Sequence, residues 1–157
     1  MRAAAISRVV SAPPDTVAER LTPEAVIEGE GRYAVKDVET EDGRTVVTAW
    51  PAGRLFPPRF AFEDRPNGFV YRRLDDGRPL VTTETTVTLR PEGDGTRVDV
   101  ESEVQASVPV PLIERSTVRQ RRRDVERLCE RLDAIVGEQP PEDAGTTVRN
   151  DPKSETN

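Results

Sequence analysis

TRVDVESEVQASVPVPLIERSTVRQRRRDVERLCERLDAIVG, residues 96–137, carries two different hydrophobic periods in one stretch. Up to Ser107 the period is two residues. Val98, Val100, Ser102, Val104 and Ala106 point one way, and Asp99, Glu101, Glu103 and Gln105 point the other, as in a strand with one dry face and one wet face. Such a strand belongs to an antiparallel sheet that is covered on one side only. Pro109 and Pro111 break it, and residues 112–136 then read as one long helix. Val118, Val125, Leu128, Cys129, Leu132, Ile135 and Val136 form its apolar stripe, with Arg119, Arg123, Arg127 and Arg131 on the opposite side. A helix of about 25 residues runs about 37 Å at 1.5 Å per residue. That is long enough to cross a curved sheet and cover its dry face.

The chain upstream supplies the sheet. Residues 3–10 read as a strand ended by Ala12-Pro13-Pro14, and either Asp15 as cap or Pro14 as first residue opens a short helix containing Val17, Ala18 and Leu21. Thr22 then caps a second short helix with Pro23 in its first turn, which ends at Glu28-Gly29-Glu30-Gly31. Strands follow at Tyr33–Thr40 and Thr45–Trp50 around an Asp42-Gly43 turn, then through Phe60 and Phe62 to a turn at Pro66-Asn67-Gly68. Phe69–Leu74 and Leu80–Leu89 flank Asp75-Asp76-Gly77, and Gly93-Asp94-Gly95 leads into the last strand. The expected architecture is α+β. A curved antiparallel sheet of about six or seven strands wraps around a long C-terminal helix, with two short helices after the first strand. Residues 1–137 make the domain. Residues 138–157 hold one aliphatic side chain beyond Ala144, Val148, and are expected to be a disordered acidic and polar tail.

Composition excludes several classes of function. The chain of 157 residues is one domain in length, with 34% hydrophobic and 33% charged residues and a mean hydropathy of -0.63. It contains no histidine and one cysteine, so His-dependent triads, His/Cys zinc sites and internal disulfides are out of reach. No cofactor or metal is expected. The net charge of -6 is split evenly between the tail and the remaining body. That balance argues against a broad nucleic-acid interface. No window approaches eighteen apolar residues, and the N-terminal MRAAAISRVV breaks its apolar run at Ser7 and Arg8. No membrane span or signal core is expected, and the expected location is the cytoplasm.

In element order and turn placement the sequence resembles the START-like helix-grip (SRPBCC) superfamily, in particular its polyketide cyclase/dehydratase and lipid-transport group. The carrying residues are Ala12-Pro13-Pro14-Asp15-Thr16-Val17 with Leu21, Gly95-Thr96-Arg97-Val98 entering the last strand, and the amphipathic helix ending at Gly137. The resemblance spans roughly residues 3–137. Ala18 stands where many members carry an aromatic, and Thr22-Pro23 replaces the frequent Asp-Pro. The resemblance implies an internal cavity for hydrophobic small molecules.

Candidate site residues follow from the expected facing. Trp50, Phe60, Phe62 and Tyr71 are expected on the concave side of the central strands, as pocket wall or as core. Val81, Val87 and Leu89 set the dry face of their strand and take Thr83 and Thr85 inward, where the hydroxyls meet a ligand or a neighbouring backbone. Leu55-Phe56-Pro57-Pro58 is an apolar loop suited to a pocket mouth. The run RQRRR at 119–123 reads as a solvated helix face, compensated by Glu126 and Glu130. Arg121 is different, because it falls on the apolar stripe near Val118 together with Glu114. Either it snorkels out to solvent at the helix start, or, desolvated, it needs a protein partner, such as Glu114, Asp37 or Glu39, or an anionic ligand group. If a ligand supplied it, Arg121→Leu would weaken binding and leave the unliganded fold intact. Cys129 reads as a small buried hydrophobe.

Three functions are compatible with these residues. A non-catalytic carrier or sensor would bind a lipid, quinone or polyketide-like molecule between sheet and helix, and the lack of histidine favours it. An aromatic polyketide cyclase or dehydratase would use Tyr71, Glu114 or Arg121 to assist enolisation. A protein-interaction module would act through the arginine stripe or the tail.

Overall fold

The computed structural model describes residues 2–50, 57–74, 81–106 and 111–137. The Leu55-Phe56 part of the apolar loop, the Asp75-Asp76-Gly77 turn and the tail at 138–157 lie outside the described residues. The elements run in the order β1 (Arg2–Val10), α1 (Pro14–Arg20), α2 (Pro23–Gly29), β2 (Ala34–Glu41), β3 (Arg44–Trp50), β4 (Arg59–Arg65), β5 (Gly68–Leu74), β6 (Val81–Glu92), β7 (Gly95–Ala106), α3 (Pro111–Glu130) and α4 (Leu132–Gly137).

The strands form one antiparallel sheet in the order β1-β7-β6-β5-β4-β3-β2. Consecutive strands from β2 to β7 are neighbours. β1 closes the far side by pairing with β7, Ile6 against Val100 and Val10 against Thr96. Alternation in β7 is as expected: Val98, Val100, Ser102 and Val104 are buried, and Arg97, Glu101 and Glu103 are exposed. The β2–β3 hairpin turns on Asp42 and Gly43, with φ of 52° and 76°, the positive pair that a two-residue turn of matching twist requires.

Val10, Val47, Phe60, Phe62, Tyr71, Val87, Val98 and Val100 cover the concave face and meet Val17, Leu21, Val26 and Ile27 of the short helices and Val125, Leu128 and Leu132 of the C-terminal helices. The α+β helix-over-sheet architecture expected from residues 96–137 is therefore the one observed. One local detail differs, and one of two open readings is settled. The C-terminal helix is interrupted at Arg131, whose N–H is shared between the carbonyls of Arg127 and Leu128, both at 3.1 Å, a tightening common where a helical turn changes pitch. The apolar stripe runs on across the break to Leu132 and Val136. At the other end Pro13 occupies the N-cap of α1 and Pro14 its first turn, so Asp15 sits inside the helix rather than capping it. α2 starts as read, with the Ala25 N–H donating to Thr22 Oγ1 at 3.1 Å. Among the described residues no helix is long and apolar enough to cross a membrane.

Candidate functional site

One row of paired residues crosses the concave face. Thr45 of β3 pairs with Phe62 of β4, Phe62 with Tyr71 of β5, Tyr71 with Thr85 of β6, Thr85 with Ser102 of β7, and Ser102 with Ala4 of β1. Because facing residues in paired strands share a side of the sheet, this row is contiguous. Within it an aromatic pair, the Phe62 and Tyr71 rings stacked 4.7 Å apart, is followed by the hydroxyls of Thr85 and Ser102.

Arg121 of α3 reaches down onto the polar half of the row. Its Nε donates to Ser102 Oγ at 2.9 Å, and its Nη2 lies 2.8 Å from Thr85 Oγ1, 2.9 Å from the Tyr71 hydroxyl and 2.7 Å from Glu30 Oε2. The Tyr71 hydroxyl donates to the same Glu30 oxygen. Thr85 and Ser102 share a further hydrogen bond of 2.9 Å. Arg121 is 8% exposed and Glu30 is 2% exposed, so this is a desolvated ion pair with its remaining groups hydrogen-bonded, the condition for tolerating buried charge.

Glu30 owes its position to the glycine after it. Gly31 has φ of 83°, which ends α2 in the left-handed conformation that glycine adopts without penalty. The terminus is held from the other side by the C-terminal helices. Arg127 Nε donates to the Glu30 carbonyl at 2.7 Å, and Arg131 Nη1 to the Gly29 carbonyl at 3.1 Å. Two residues of the expected solvated stripe are therefore engaged in capping α2, a correction that follows from the need of helix-end carbonyls for donor partners. Asp124, 2% exposed, completes the cluster, 3.5 Å from Arg121 Nη1 and paired with Arg127 and Arg32.

The electrostatics follow from burial. Desolvation pushes the Tyr71 hydroxyl well above its ordinary range, and the Glu30 charge adds to the rise. For Arg121, burial pulls downward, but Glu30, Tyr71 and Asp124 together hold the guanidinium above its usual value. Burial raises Asp124, against the hydrogen bond from Gln120 and the nearby arginines. The guanidinium is thus held as a cation and the phenol neutral.

Several expected site residues come together here and others do not. Phe62, Tyr71, Thr85 and Arg121 share the row and its cover. Phe60 lies on the same face, buried, with its ring 5.6 Å from Tyr33. Thr83 is half-buried beside Val104. Glu114 and Val118 are half-buried on α3, on the turns before Arg121. Among the described residues Glu114 makes no ion pair with Arg121; that place is taken by Glu30. Asp37 and Glu39 are exposed. Trp50, expected on the concave wall, belongs to the other face. It pairs with Ala34 one residue beyond the inward Ala49, is 56% exposed, and has Lys36 Nζ 4.4 Å from its ring centre. The reason is register: Thr45, Val47 and Ala49 point inward, so Trp50 must point out. Glu30, Ser102 and Asp124 are members that sequence reading missed. Ser102 was legible as the polar break in the dry face of its strand, and Asp124 as the three-residue neighbour of Arg121. Glu30 carried no local signal.

The aromatic end of the row opens on a cleft of about 570 Å³. It lies between the α1–α2 bend and the turns at Gly43 and Asn67, with Leu21, Arg44, Thr45, Phe62, Phe69 and Leu89 among its walls. That volume is in the range of small-molecule sites. Among the described residues no three acidic or cysteine side chains converge to hold a metal ion.

Comparison with known proteins agrees with this geometry. No protein-family model matches the sequence, and no curated protein matches it. Solved structures do. TTHA0849 from Thermus thermophilus is 22% identical with a TM-score of 0.60, over 84% of this chain and 94% of that one. Ara h 8.0201 is 12% identical with a TM-score of 0.56, over 87% of this chain and 97% of that one. The di-domain ARO/CYC BexL from the BE-7585A biosynthetic pathway is 15% identical with a TM-score of 0.63, over 87% of this chain and half (50%) of that one. At such identities the likeness is one of fold alone: the chain has a helix-grip fold.

Proposed function

We propose that the protein binds a hydrophobic or amphipathic small molecule of the lipid, quinone or polyketide-like kind, as a carrier or sensor rather than a catalyst. The observation that carries this reading is the cleft whose inner wall, Phe62 and Phe69, continues through the Phe62–Tyr71 stack to the Arg121 network. Such a site offers apolar walls for a ligand body and few, fixed polar groups for its orientation. The cleft lies where α1 and α2 meet the turns and, among the described residues, has no wall from the C-terminal helices, so it is a neighbour of the sheet-and-helix interior expected from the sequence. Binding is favoured over cyclase chemistry because the interior titratable groups are committed to one another. The Tyr71 hydroxyl donates to Glu30, and Glu30 pairs with Arg121, so neither member of that pair is free to take up or give a proton to a bound molecule.

Native mass spectrometry of the purified protein, with thermal shifts against a panel of fatty acids, quinones and flavonoids, tests the reading. The expected result is at least one bound species of one-to-one stoichiometry that raises the melting temperature, with the rise lost in Phe69→Arg. Absence of any co-purified or added binder counts against it.

A further inference from the structure

Among the described residues, three arginines of α3 have no acidic partner. Leu112, Arg115, Arg119 and Arg123 follow one another at spacings of three and four, so they form a single outward stripe about 16 Å long. All four are exposed, Leu112 at 79%. The ion pairs of this helix are those of Arg121, Asp124 and Arg127. Glu126 and Glu130, the partners expected from spacing, take no part in them. Arg122 flanks the stripe, also exposed, with its Nε donating to the Ala3 carbonyl at 3.2 Å. Glu114 is the one acidic residue between Leu112 and Arg123; it is half-buried and falls on the other side of the helix. Like charges four residues apart repel, and Arg115, Arg119 and Arg123 make that juxtaposition twice. The whole chain is acidic, at -6, so this basic face is a local feature set against the general charge.

We propose that the N-terminal half of α3 docks the protein on an anionic lipid surface. Guanidinium groups present their donors to phosphate oxygens in pairs and shed water more readily than an ammonium does. Leu112 selects a lipid surface over a nucleic-acid backbone. A leucine projecting on the same stripe as the arginines gains nothing from a row of phosphates, but it enters the acyl boundary just beneath a layer of headgroups. The acidic remainder of the chain does not prevent docking, because at about 0.1 M salt exposed charges more than about 10 Å apart are largely screened. Beyond Arg123 the exposed side of the helix carries Glu126 and Glu130, which confines the contact to the first three turns. The inference goes beyond the ligand-binding reading and holds or fails without it.

Co-sedimentation of the full chain with vesicles of phosphatidylcholine, alone or with about one-third phosphatidylserine, tests this in about 0.1 M and about 0.5 M NaCl. At the lower salt the wild type is expected to bind the anionic vesicles about tenfold or more tighter than the neutral ones, and to lose most of that advantage at the higher salt. Arg115→Glu, Arg119→Glu and Arg123→Glu together should weaken binding to anionic vesicles about hundredfold and leave the melting temperature close to that of the wild type, as for exposed positions. Arg119→Gln alone should lose about fivefold, and it decides the matter if the triple variant does not fold. Leu112→Ser should weaken binding several-fold and keep the salt dependence. Equal binding to neutral and anionic vesicles, or equal affinity in the wild type and the triple variant, overturns the proposal. A short DNA duplex bound more tightly than the vesicles, or no effect of Leu112→Ser, overturns the choice of a lipid surface. Small-molecule binding by the triple variant, followed by native mass spectrometry, should match the wild type, so loss of docking is distinguishable from loss of the function proposed above.

Discussion

Arg121 is the residue whose environment most changes what a mutation should do. Had a ligand supplied its counter-charge, Arg121→Leu would have left the unliganded protein intact. The structure supplies the counter-charge from Glu30 at 2.7 Å, both groups buried. Removing the guanidinium strands that carboxylate in the interior, which costs about 3–5 kcal/mol. Denaturant melts should therefore show Arg121→Leu strongly destabilised, and Glu30→Gln with Arg121→Leu less so than the sum of the two single changes. Additive effects would refute a direct pair. Tyr71 gives a second test at this scale. Its folded-state pKa lies well above the ordinary value of 10.0, so the native state keeps a proton that the unfolded chain releases. The stability linked to this group is complete below pH 10 and declines as the pH rises past it. Ultraviolet absorbance should show the Tyr71 phenolate forming only on unfolding; its appearance in the native protein near pH 10 would contradict its burial.

At the scale of elements, α2 matters beyond its seven residues because its end carries Glu30. Its start depends on Thr22 Oγ1, which accepts from Ala25 N–H at 3.1 Å. Thr22→Ala should cost about 1 kcal/mol, the usual worth of such a cap, measured as a lower urea midpoint with unchanged slope. A cost within about 0.3 kcal/mol, roughly the scatter of such measurements, would mean that tertiary packing alone holds the helix. The C-terminal pair α3–α4 reads as one helix in sequence because its apolar stripe is continuous from Val118 to Val136. Periodicity reports which face is dry and is insensitive to one residue where a ladder is shared between two acceptors, as at Arg131. Cys129 on that stripe is 2% exposed, and burial pushes its thiol up to about 11, in keeping with its reading as a small hydrophobe.

For the molecule as a whole, the single tryptophan reports the outer face of the sheet. Trp50 is 56% exposed and lies outside the Phe62–Tyr71–Arg121 row. Acrylamide should quench its fluorescence nearly as well in the native state as in denaturant, and Trp50→Phe should leave ligand affinity essentially that of the wild type. Strong protection of the native emission would place the indole inside. Cleft and network, by contrast, are linked through the Phe62–Tyr71 stack, so ligand binding at Phe69 should also protect the Arg121 region from hydrogen exchange.

The period-two and period-3.6 patterns on either side of Pro109 were enough to mark a strand with one dry face, its helical cover and the place of Arg121 on the apolar stripe, and alternation in its own strand put Thr85 inward. These are properties of alternation and of helical spacing, which residues carry locally. The turn pairs and Thr22 likewise marked most element ends. Which carboxylate answers Arg121 was decided only by tertiary structure, since Glu30 is 91 residues away in the chain and arrives by the packing of α2 under the C-terminal helices. The outward facing of Trp50 was decided in the same way. A strand of seven residues with both faces partly buried, Val46 outside and Val47 inside, has no hydrophobic alternation to declare its register, so pairing with β2 and β4 settled it. The cleft, too, exists only where the α1–α2 bend meets two turns from distant parts of the chain. Local sequence specifies faces and ends; the meeting of faces is a property of the closed fold.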